Sequence, residues 1–121
     1  VVADVGHHDA YAIPRGILVD CARRVAGLPA LLVGVRCPIE VIMQRRNAGQ
    51  PGRENSYLKL APDGSIPEPI LRWQREVHIP GVYDFEVDTS LLNPVECAEA
   101  IRRHLETGPP PSAFQRLAAH A

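Results

Sequence analysis

Apolar residues in this chain fall into short blocks punctuated by proline and glycine. Val1–Val5 is a β-branched run and predicts a strand. From about Tyr11 to Ala26, Ile13, Ile17, Leu18, Cys21 and Val25 recur at helical spacing. Asp9 is a candidate cap for that helix, and Gly27 is its stop. Ala30–Val35 is apolar without alternation, the pattern of a strand covered on both faces in a parallel sheet. Arg36-Cys37-Pro38 closes it. A helix then runs from Pro38 to about Arg46 with Ile39, Ile42 and Met43 on its inner face, and Glu40 favours its N-terminus.

Asn47 to Gly64 is polar and reads as a long loop, a type of segment that often forms a lid. Ser65-Ile66-Pro67-Glu68 has the form of a capping box. The helix behind it carries Ile66, Ile70, Trp73 and Val77 along one side. Pro80-Gly81 predicts a turn and Val82–Val87 a strand. Asn93-Pro94-Val95-Glu96 opens the last long helix, with Cys97, Ala98, Ile101 and Leu105 as its inner stripe. Gly108 follows it, Pro109-Pro110-Pro111 is a stiff spacer, and Ser112–His120 reads as one more short helix. Alternating strands and helices predict an α/β domain with a mainly parallel sheet and right-handed crossovers. Ligands of such sheets sit beyond the carboxyl ends of the strands. Here those ends are Asp4 to His8, Arg36-Cys37 and Asp88-Thr89-Ser90.

Composition narrows the class. The chain has 121 residues, 45% hydrophobic and 22% charged, with a net charge of −1. That profile fits one globular domain and argues against a nucleic-acid partner, which would select a basic excess. There is no apolar run long enough to span a bilayer. Cys21, Cys37 and Cys97 suit neither a disulfide framework nor a zinc site, and they fit the reducing cytoplasm. The 12 prolines mostly mark helix starts and loops. The chain opens without methionine on what reads as the second half of a buried strand, so a chain cut inside a domain is the expectation.

Candidate chemistry follows from the strand ends. Asp4 ends an apolar strand, where one carboxylate can hold Mg²⁺ through water. His7-His8-Asp9 suits a turn and helix cap better than a metal site, because consecutive side chains diverge. Arg45, Arg46 and Arg53 flank the start of the loop, and guanidinium forks match phosphate oxygens. The same arginines would also suit the dipole of a helix C-terminus. The phosphate loop G-x-x-x-x-G-K-[ST] is absent from these residues. The one lysine, Lys59, stands between Leu58 and Leu60.

Ala30-Leu-Leu-Val-Gly-Val-Arg-Cys37 with its helix ending near Arg45, Val77-His78, Gly81-Val-Tyr-Asp-Phe-Glu-Val-Asp-Thr-Ser90 and Glu96-Cys97-Ala98 with Ile101 together resemble the chloramphenicol phosphotransferase family of P-loop kinases. Val1–Val5 looks like that family's third strand, with Asp4 at its acidic position. The resemblance implies a parallel three-layer sandwich of the P-loop kinase type, lacking its first two strands. Residues 1–106 would be the carboxyl-terminal part of that domain, with a lid at about 45–65, and 107–121 a proline-rich tail. It implies transfer of the γ-phosphoryl of ATP, with Mg²⁺, to a hydroxyl of a small molecule. Arg45 and Arg53 would be catalytic and face the phosphates. Arg46, Thr89, Ser90 and Pro94 would bind the nucleotide, and Asp4 the metal. The family's phosphate loop and general base precede residue 1, so this chain is expected to be inactive alone. Two alternatives stand beside this reading: a non-catalytic kinase-like module that binds a protein partner, and another small-molecule kinase of the shikimate or gluconate type.

Overall fold

A computed structural model of the chain describes residues 1–52 and 58–119. The elements are α1 (Ile17–Val25), β1 (Val33–Arg36), α2 (Ile39–Ala48), α3 (Glu68–Glu76), β2 (Phe85–Asp88), α4 (Pro94–Thr107) and α5 (Ala113–Ala119). β1 and β2 pair in parallel, Val33 beside Phe85 through Arg36 beside Asp88. Further backbone bonds, Asp84 N–H to the Leu32 carbonyl and Thr89 N–H to the Arg36 carbonyl (both 2.9 Å), extend the pairing at each end. The class is α/β, as the alternation predicts.

Val1–Val5 departs from expectation. It forms no strand, and Val1, Val2 and Val5 are exposed. A β-branched run becomes a strand only where a neighbouring ladder receives its N–H and C=O groups. Among the described residues the sheet has two strands, and neither pairs with Val1–Val5.

Local competition shifts two helix starts. Helix α1 begins at Ile17, behind Gly16 at φ 60°, which lies in the left-handed region. Asp9 does not sit at the cap position. Its carboxylate accepts the Arg15 and Gly16 N–H groups at 3.0 Å, just ahead of the helix. The capping box expected at Ser65 is not made. The Ser65 hydroxyl and N–H both donate to Asp63 Oδ1 (2.6 and 2.9 Å), a local turn that outcompetes the cap. Helix α3 starts behind Pro67 instead. At α4 the expected signal is realised in full. Asn93 Oδ1 accepts the Glu96 N–H at 2.8 Å, Glu96 Oε1 accepts the Asn93 N–H at 3.0 Å, and Pro94 fills the first turn. Cys97 on α4 is buried, but Leu105 is exposed. His104 takes the inner position instead, stacked on Phe85 at 4.5 Å.

The core gathers around the carboxyl-terminal helix. Ala22, Phe114 and Leu117 are buried together, with Leu18, Cys21, Val25, Leu32 and Val82 packed on them. Asp84 ties this core to the sheet. Its Oδ2 accepts the Leu32 N–H (2.9 Å), and its Oδ1 accepts the Ser112 and Ala113 N–H groups (2.7 and 2.9 Å). One carboxylate therefore aligns the start of β1 and caps the start of α5, where a negative charge also suits the helix dipole. Gln115 donates to the Ala26 carbonyl (2.7 Å), which fastens α5 to the end of α1. No helix of the described residues is long and apolar enough to cross a membrane.

Candidate functional site at the strand ends

The parallel pairing puts the carboxyl ends of β1 and β2 side by side, and α2 returns so that its last turn lies over them. Arg45 stands in that turn. Its Nη1 donates to Thr89 Oγ1 (2.9 Å) and Nη2 to the Thr89 carbonyl (2.6 Å). Nη1 also lies 3.7 Å from the Cys37 sulfur. Three hydrogen bonds fix the guanidinium, and a guanidinium carries five N–H groups. Arg45 thus remains able to donate to an anion from a fixed position at the strand ends.

Thr89 leads into a tight turn. The Leu91 and Leu92 N–H groups donate to the Asp88 carbonyl at 3.2 and 3.1 Å. Ser90 turns inward on Asp88, whose Oδ1 accepts its hydroxyl (2.5 Å) and its N–H (2.8 Å). These two Ser90 bonds, with a smaller contribution from the Arg45 charge, hold the Asp88 carboxyl below its ordinary range. Pro94 follows at the head of α4, and Leu91 and Val95 are exposed beside it. Arg45, Thr89 and Ser90 are therefore brought together, with Pro94 a few residues on.

The other candidates lie apart. Arg46 is half-buried on α2, and Arg53 lies outside the described residues. Asp4 is exposed, with no bond to the Arg45–Thr89 assembly. It precedes a segment held by α3. His8 packs edge-on against Trp73 at 5.1 Å and stacks on Tyr11 at 4.8 Å. A Cβ on Gly6 would come within 2.7 Å of the same indole, so the chain there needs glycine.

Two features escape the pattern reading. Gln74 donates to the Cys37 carbonyl at 2.7 Å and so ties α3 to the end of β1. Its signal is visible in retrospect, since Gln74 is a polar residue one turn after Ile70 on the apolar side of α3. The second is a cluster on the sheet: Arg36 Nε pairs with Glu86 at 2.6 Å and its guanidinium lies 5.6 Å from the centre of the Tyr83 ring. The Tyr83 hydroxyl and His78 Nδ1 are 2.6 Å apart. Burial first, then the Arg36 charge, lowers the His78 pKa, and burial raises that of Tyr83. Gly34 is required here, because a Cβ would meet the Tyr83 ring at 2.7 Å. Separately, a cleft of about 350 Å³ lies among Leu18, Val19, Ile79, Pro80 and Leu117, and none of the strand-end residues lines it.

An α/β chain with a basic side chain fixed at the carboxyl ends of parallel strands has its candidate site where open parallel sheets carry their ligand sites. Comparison with protein families makes the assignment specific. Residues 1–106 match the chloramphenicol phosphotransferase-like protein family, and the chain belongs to it. The family points to phosphotransferases in general. No curated protein and no solved structure matches the chain.

Proposed function

We propose that this chain forms part of an ATP-dependent kinase of P-loop type that phosphorylates a hydroxyl of a small molecule. The observation that carries the reading is the two-point hold of Arg45 on Thr89 at the strand ends. In it, Arg45 is catalytic and presents its remaining donors to the transferring phosphoryl group, where charge develops in the transition state. Arg53 serves the same charge, and Arg46 supports the nucleotide phosphates. Thr89, Ser90 and Pro94, with the exposed side chains of Leu91 and Val95, offer a polar edge beside an apolar surface. That combination suits a purine ring.

Mg²⁺, when bound, would neutralise phosphate charge. Among the described residues no three His, Cys, Asp or Glu side chains cluster to hold a metal. In this reading Asp4, which lies apart from Arg45 and Thr89 in this structure, would hold Mg²⁺ together with water and phosphate oxygens. The phosphate loop is expected from polypeptide preceding Val1, and with it the full three-layer sandwich. The reading places the enzyme in the cytoplasm, with neither nucleic acid nor membrane as partner.

The test uses the chain extended upstream in its reading frame. Arg45→Ala is expected to lower kcat by about 10²–10³-fold while changing ATP affinity far less. An unchanged kcat would remove Arg45 from the mechanism.

A further inference from the structure

The peptide between Cys37 and Pro38 joins β1 to α2 and belongs to neither. Sheet pairing ends at Arg36, whose carbonyl accepts the Thr89 N–H at 2.9 Å. The first donors of α2, the Val41 and Ile42 N–H groups, both go to the Pro38 carbonyl at 3.1 Å. Pro38 has no N–H of its own. The Cys37 carbonyl therefore falls between the two ladders, and a half-buried carbonyl needs a donor. Gln74 supplies it from α3, at 2.7 Å.

Cys37 is also the residue that Arg45 reaches. Side chains of a helix lean toward its N-terminus. The Arg45 guanidinium lies back over the root of α2, 3.7 Å from Cys37 Sγ, while it bonds Thr89 twice. One residue thus takes Gln74 on its carbonyl and Arg45 on its side chain. We infer that Gln74 is a positioning residue for phosphoryl transfer, a role that rests on the kinase reading above. By fixing the Cys37 peptide it sets the exit of α2 from the strand and keeps Arg45 on Thr89. Without the amide, that carbonyl turns toward water, the root of α2 shifts, and the guanidinium loses its fixed aim. The four residues and their bonds lie wholly between positions 37 and 89.

The chain extended upstream in its reading frame carries the test. Gln74→Met keeps the side-chain length and removes the donor. It is expected to lower kcat about tenfold and to leave the KM for ATP within about twofold, since a displacement of about 1 Å impairs turnover more than binding. In Gln74→Glu the ionised carboxylate only accepts, so at about pH 8 this variant should match Gln74→Met. As pH falls toward about 5 its acid form regains an O–H donor, and its kcat relative to Gln74→Met should rise. Arg72→Ala, on the exposed side of α3, should leave kcat unchanged. A second readout needs no turnover. The Ser90 amide nitrogen is bonded to the Thr89 carbonyl carbon, so its magnetic resonance signal senses what that carbonyl accepts. Gln74→Met should move that signal in the direction set by Arg45→Ala. An unmoved Ser90 signal, or a kcat within about twofold of the native value, would overturn the inference. A moved Ser90 signal in a chain that transfers no phosphoryl group from ATP would overturn the kinase reading and leave the coupling of Gln74 to Arg45 standing.

Discussion

The two ends of the molecule solve different problems. Around α5, apolar side chains are buried and both carboxylate oxygens of Asp84 are spent on backbone N–H groups. At the strand ends, Arg45 and Thr89 are bonded to each other on an exposed surface, and little apolar area is covered. The first arrangement yields stability, and its carboxylate is committed to holding the fold. The second yields a positioned charge and contributes little to folding, because exposed polar contacts merely replace contacts with water. Substitutions should therefore separate the two ends cleanly.

The largest effect is expected at Phe114. Phe114→Ala leaves a void between α1 and α5 and should cost about 3–4 kcal/mol in denaturant unfolding. A cost under about 1 kcal/mol would mean that α5 is not a core element. Asp84→Ala comes next, at about 2–3 kcal/mol, because three backbone N–H groups lose a charged acceptor together. Arg45→Ala should shift stability by no more than about 0.5 kcal/mol, in contrast to its expected effect on kcat. If it destabilised the chain as much as Phe114→Ala, the division between the two ends would fail.

The smallest effect is a pH dependence. His78 has a lowered pKa when folded, so folding favours its neutral form. Its contribution is complete above the ordinary imidazole value of 6.5 and is lost as pH falls through the lower folded value. Thermal melts of the native chain should therefore decline as the solution is acidified below 6.5, and His78→Gln should flatten that decline. An identical decline in both would assign the acid sensitivity to carboxylates such as Asp88 instead.

What the sequence makes legible tracks the range of the interactions involved. Asn93-Pro94-Val95-Glu96 specifies its own helix start, because all the partners lie within four residues. Ser65 shows the limit even of local reading, since Asp63 offers its hydroxyl a nearer acceptor than the helix does. Val1–Val5 has the composition of a strand, but a strand is defined by its neighbour, and composition does not supply one. The strand-end rule correctly sets Cys37 beside Thr89. That Arg45 would bond Thr89 depends on how α2 folds back, and no spacing reveals that. Phe114 and Leu117 show helical spacing, yet the residue they cover, Ala22, stands in the first quarter of the chain.

That last distance bears on how the protein is made. The apolar side of α1 leaves the ribosome long before its cover does. At ordinary elongation rates the wait between Ala22 and Phe114 is roughly 5–20 s. Through that interval Leu18, Cys21 and Val25 face solvent or whatever chaperone holds the nascent chain. Synthesis that stops anywhere short of α5 releases a polypeptide whose sheet can pair but whose helix α1 lacks its cover. Quality control can therefore recognise an unfinished chain at the bare apolar side of α1.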